Sequence, residues 1–89
     1  MFIMSGNKEI LNLNHFSVVR EHQALEGDPI RWRLLAVNHD DSFSKIIAVF
    51  AEEGDALEAT DDLFRAIASG EETWDVNLFN IDEEYPYSL

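Results

Sequence analysis

The stretch from Asp55 to Gly70 constrains this chain more than any other, because it carries both a start and a stop signal for a helix. Asp55 followed three residues later by Glu58 reads as a capping box, in which each side chain satisfies an orphan backbone N–H of the first turn. Leu57, Thr60, Leu63/Phe64 and Ile67 recur at helical spacing and predict the buried stripe. Gly70 stands where a left-handed C-terminal cap belongs. The opposite face carries Glu58, Asp61, Asp62, Arg65 and Ser69, with Asp61 and Arg65 as an acid-before-base pair four residues apart. A helix over residues 55–69 follows.

One helix in 89 residues leaves most of the core to strands. Residues 30–37 and 45–50 are β-rich runs, and Asn38-His39-Asp40-Asp41-Ser42 between them is turn chemistry, so they read as a hairpin. Pairing Leu35 with Ile47 would put Trp32, Leu34, Ala36, Ile46, Ala48 and Phe50 on one face, as a seat for the helix. Arg31, Arg33, Leu35, Val37, Lys45, Ile47 and Val49 would then share the other. Gly27-Asp28-Pro29 is a turn into this hairpin. An earlier strand is expected over residues 15–22 and a last one over 73–79, where Trp74, Val76 and Leu78 alternate with Asp75 and Asn77.

The expected fold is therefore α+β: a small antiparallel sheet of three to four strands, covered on one face by one amphipathic helix, in the order β-β-β-α with a further strand after it. Residues 1–89 make one domain, with residues 1–9 expected to fray and 80–89 to form a mobile acidic tail. Leu35, Val37, Ile47 and Val49 lie on the face the helix does not cover. Something must cover them: residues 10–13, a second copy of the chain, or another partner.

Charge divides the chain at Phe50. Residues 1–49 hold six acids against five bases, and residues 50–89 hold twelve acids against Arg65 alone, so −11 of the net −12 belongs to the second part. Such a field repels nucleic acid and anionic membrane and attracts basic surfaces. An apolar fraction of 46% with ten aromatic residues nevertheless argues for a folded chain. The absence of cysteine excludes disulfides, thiolate metal sites and cysteine nucleophiles. No signal peptide or membrane span is legible, and a cytoplasmic location is expected.

Catalytic patterns are weak. His39-Asp40-Asp41 contains metal-ligand residue types, but without a second nearby His it reads as a solvated turn. His15 and His22 are seven apart on an expected strand, point to opposite faces, and cannot chelate together. The adjacent acids Glu52-Glu53, Asp61-Asp62, Glu71-Glu72 and Asp82-Glu83-Glu84 have no cleft to separate their pKa values. Glu52-Glu53-Gly54-Asp55 is too short to wrap calcium. Nucleophile elbows and phosphate-binding glycine loops are missing. Arg31, Arg33 and Lys45 make too small a footprint for direct nucleic-acid binding. No cofactor, metal or catalytic residue is expected.

What remains is the acidic face: Glu52, Glu53, Asp55, Glu58, Asp61, Asp62, Glu71 and Glu72, spread on and around a rigid helix. Such an array can occupy a groove built for phosphates; it also fits a solvated helix with acids near its N-terminus. The order of elements and the phrases Asn12-Leu13-Asn14-His15-Phe16, Phe50-Ala51-Glu52-Glu53-Gly54-Asp55-Ala56-Leu57 and Ala66-Ile67-Ala68-Ser69-Gly70-Glu71 loosely resemble small uncharacterised proteins of bacteriophages and bacterial mobile elements. That resemblance covers about residues 10–72 and implies an accessory factor or an inhibitor of a host system; no functional residue carries over. The expectation is a non-enzymatic interaction protein docking on a basic protein surface, in one form as a nucleic-acid mimic. The alternative is a self-associating accessory domain, a homodimer built on Leu35, Val37, Ile47 and Val49.

Overall fold

A computed structural model describes residues 1–24, 30–38 and 44–82. It has the expected α+β architecture, with the strands divided between two three-stranded sheets. Strands β3 (Phe16–Ala24), β4 (Ile30–Asn38) and β5 (Ser44–Phe50) form an antiparallel sheet in that order, and helix α1 (Glu53–Ala68) packs on β4 and β5. The second sheet is built from β1 (Phe2–Met4), β2 (Ile10–Asn12) and β6 (Thr73–Asp75), with β1 at its centre. β2 runs antiparallel to β1, and β6 runs parallel to it. The turns expected at 27–29 and 38–42 fall, apart from Asn38, outside the described residues, as do His39, Asp40 and Asp41.

Part of the stretch expected to fray, Phe2–Met4, forms strand β1. Ile3 is fully buried in the central strand of the second sheet. The loop after it, residues 5–9, is closed by its own polar groups. The Ser5 backbone N–H donates to the Glu9 carbonyl (2.8 Å), and the Glu9 N–H donates to Ser5 Oγ (3.0 Å). Lys8 adopts a left-handed φ of 70° within this loop, a conformation costly for any residue with a Cβ. The Gly6 N–H reaches across to the Ile47 carbonyl at 2.7 Å.

At Ile47 the register of β5 departs from the expected one. Leu34 pairs with Ala48 but Leu35 pairs with Ile46, so Ile47 is an extra residue in β5, a β-bulge. The expected pairing of Leu35 with Ile47 assumed strict alternation. With the bulge, Ile47 joins Ala48 and Phe50 in the helix-side core, while Ile46 crosses to the other face beside Leu35 and Val49. The Ile47 carbonyl, displaced from the ladder, accepts from the loop instead.

The helix also sits differently from its expected register. Its buried residues are Ala56, Ala59, Leu63 and Ala66, whereas Leu57, Phe64 and Ile67 are 41%, 71% and 48% exposed. Three alanines let the helix lie close to the sheet. The bulk of the core then comes from Leu34, Ile47 and Phe50 below and from Ile3, Leu11, Trp74 and Val76 of the second sheet and the turn after it. The helix begins at Glu53 with Glu52 as its N-cap and no side-chain cap, so Asp55 lies within the first turn and the expected capping box does not form. The C-terminal expectation is met. Gly70 has φ 73°, its N–H donates to the Ile67 carbonyl (3.1 Å), and that of Glu71 donates to Ala66 (3.0 Å), the paired bonds of a Schellman cap.

The strand expected over 73–79 stops at Asp75. The Asp75 carboxylate accepts from the Asn77 N–H at 2.9 Å and bends the chain into a 3₁₀ turn, Val76–Leu78. Val76 is buried and Leu78 is 82% exposed. Of the expected mobile stretch, residues 80–82 are tied to the fold. Asn80 donates to Asp55 (3.0 Å), Ile81 packs against the core, and the Asp82 N–H donates to the Val49 carbonyl (2.6 Å). Residues 83–89 lie outside the described residues.

Candidate functional site

The eight acids of the expected docking face divide into two groups. Glu52, Glu53, Glu58, Asp61, Glu71 and Glu72 are exposed. Asp55 and Asp62 are half-buried and hold other parts of the chain: Asp55 accepts from Asn80, and Asp62 accepts from Trp74 Nε1 at 3.0 Å. Arg65 Nε donates to the other Asp62 oxygen at 3.0 Å, and Arg65 Nη2 stands 3.7 Å from Glu71. The Trp74 N–H and then the Arg65 guanidinium favour the charged form of Asp62 and hold its carboxyl below the usual carboxylate range. Asp62, its partner in hydrogen bonding and charge, keeps Arg65 protonated in turn. The single base of the acidic half is therefore committed to two carboxylates of its own chain, which leaves the surface around it negative.

Among the exposed acids stand large apolar side chains that periodicity had placed in the core. Leu57 and Phe64 are seven apart on α1 and share a face, with Asp61 between them. Ile67 follows and borders a groove of about 960 Å³ between the C-terminal end of α1 and strand β1. Phe2, Leu13 and Phe16 form its apolar walls, and Glu71 and Glu72 stand on its rim. Phe2 is itself 51% exposed. A second groove, of about 670 Å³, shares Phe2, Glu71 and Thr73 with the first and extends past Met4, Ile10 and Leu78 to the Asp62–Arg65 pair. The two adjoin through these shared residues.

The expected apolar interface is not open. Leu35, Ile47 and Val49 are 5%, 0% and 0% exposed within the single chain, and Val37 packs beside Leu35. Ile47 lies in the helix-side core together with Leu11 and Leu13, whereas none of residues 10–13 belongs to the cluster of Leu35, Ile46, Val49 and Val37. Asp82 reaches this face instead, where its carboxylate takes a hydrogen bond from Arg31 Nε at 2.6 Å. Lys45 pairs with Glu9 at 3.2 Å. The Asn7 amide and then Lys45 lower the Glu9 pKa.

No set of three His, Asp or Glu side chains gathers in metal-binding geometry among the described residues. His15 is exposed at the end of the 3₁₀ turn Leu13–His15, and His22 lies opposite Trp32 in the β3–β4 register. No described helix is long and apolar enough to cross a membrane. The signal for the exposed apolar residues was present in the sequence. Ala56, Ala59, Leu63 and Ala66 also recur at helical spacing, and a close-packed alanine face leaves the bulky stripe outside. No protein-family model, no curated protein and no solved structure matches the chain.

Proposed function

We propose that this chain is a non-enzymatic interaction protein that docks the outer side of α1 on a basic protein surface. The carrying observation is Phe64, 71% exposed on the helix, with the exposed acid Asp61 one turn before it and Glu58 one turn before that. Carboxylates steer a basic partner and set its orientation, and a desolvated aromatic among them supplies affinity that charge alone does not. Inhibition of a nucleic-acid-binding protein is one form such docking takes, consistent with the resemblance to proteins of mobile elements. In that form the acids stand where phosphates would.

The test is capture from nuclease-treated lysate at graded salt with the native chain and with a Glu58→Lys/Asp61→Lys/Phe64→Ser variant. The reading expects a basic protein that the native chain retains at low salt, releases as salt rises, and that the variant does not hold. Recovery of nothing, or equal recovery by the variant, would refute it. The alternative of self-association through Leu35, Val37, Ile47 and Val49 loses its motive, because the chain already buries Leu35, Ile47 and Val49.

A further inference from the structure

We infer that the groove between the C-terminal end of α1 and β1 receives a basic, amphipathic peptide segment of a partner protein, with an apolar side chain seated between Ile67 and Phe2 and Lys or Arg side chains on Glu71 and Glu72. The inference rests on the docking reading above and names the element that docks.

Three features select this occupant. Much of the lining is apolar and partly open, with Ile67 and Phe2 each about half exposed. At about 960 Å³ it lies near the upper end of volumes that hold a compact ligand, which suits several side chains of a peptide. Among the described residues its lining includes Glu71 and Glu72 and neither lysine nor arginine, and Arg65, 3.7 Å from Glu71, offsets only one of the two charges, so a cationic segment gains on entering and an anionic one loses. A second copy of this chain is disfavoured by the same arithmetic, since each copy carries −12 and two acidic rims would meet. Anionic membrane is disfavoured likewise. The groove continues the acidic side of the helix, so one amphipathic element can touch both.

The probe is a synthetic helix-forming peptide with lysines on one face and leucines on the other, followed by fluorescence anisotropy. Native protein is expected to bind it, and Ile67→Ser and Glu71→Gln/Glu72→Gln are each expected to weaken binding by about tenfold. Ser17→Ala, at an exposed residue of β3 that lines neither groove, is expected to leave binding unchanged. Circular dichroism confirms that each variant folds, and the Glu-to-Gln pair keeps the test intact without touching an apolar contact. Binding that survives Ile67→Ser but falls with Glu58→Lys/Asp61→Lys would overturn the groove and leave the docking reading standing. Absence of binding to the native protein overturns the groove too, and the docking reading is then judged by the capture experiment. Two results would replace the occupant and overturn the inference: a dimer in sedimentation that Ile67→Ser dissociates, or flotation with neutral phosphatidylcholine vesicles that Ile67→Ser abolishes.

Discussion

Exchanging neighbouring residues of α1 reads out which face of the helix is buried. Leu63 is 2% exposed, so Leu63→Ala removes well-packed methyl groups and leaves a cavity, at a cost of about 2–5 kcal/mol. Phe64 is 71% exposed. The part it buries is under a third of the 150–250 Å² of a phenylalanine, or roughly 60 Å², which at about 25 cal/mol/Å² bounds its contribution near 1.5 kcal/mol. Phenylalanine and serine have similar helix propensities, so Phe64→Ser reports burial with little backbone contribution. A domain of this length has a total stability of roughly 4–13 kcal/mol, and the two costs are well separated on that scale. Urea unfolding followed by circular dichroism is the assay. With a slope of about 1.5 kcal/mol/M, the midpoint should fall by about 1–3 M for Leu63→Ala and by under about 1 M for Phe64→Ser. Leu63→Val, costing less, serves where the alanine variant does not fold. If Phe64→Ser loses as much as the Leu63 variants, the helix is turned about one residue step from the orientation described. The stripe Leu57–Phe64–Ile67 is then core, and the docking surface loses its apolar part.

Further outcomes follow from the same contacts. Lys8→Gly relieves a left-handed backbone and should raise the melting temperature, whereas Gly70→Ala imposes one in open space and should lower it. Each change is about 1 kcal/mol, or about 4–8 °C for a domain of this size, and equal melting points would contradict both. Removing residues 1–4 takes away the central strand of the second sheet and the buried Ile3, so the unfolding midpoint should collapse; an unchanged midpoint would mean that these residues fray. For Asp62 the folded-state pKa lies below the unfolded value, so its stabilisation is complete above about pH 4 and disappears as the pH falls through the lower folded value. Asp62→Asn should therefore be less stable than the native chain at neutral pH, with the gap closing in acid. A gap that stays constant down to about pH 2 would contradict the sign.

The elements that sequence made legible are those fixed by local chemistry. The hairpin of β4 and β5, the helix and the Gly70 cap each declare themselves within a few residues. What stayed hidden depends on partners distant in sequence. β1 and β6 are three residues long and pair in parallel across the whole chain, which no local pattern announces. The bulge at Ile47 is met by the Gly6 N–H, distant in sequence, and it exchanges the faces of Ile46 and Ile47. Helix orientation failed for a different reason. Two apolar stripes run along α1, and periodicity favours the bulkier one although the alanine stripe packs closer. The candidate site was half legible. The acids are visible in the sequence, but the commitment of Asp55 and Asp62 to Asn80 and Trp74, and the apolar lining beside Glu71 and Glu72, depend on the fold.

The most direct test of the central claim is a nuclear magnetic resonance titration of the labelled chain with the lysine–leucine peptide. The account predicts that amide shifts concentrate at Glu58, Asp61, Phe64, Ile67, Glu71 and Phe2, and weaken as salt is added. Shifts confined to β3 and β4, or none at peptide concentrations well above the protein's, would contradict it.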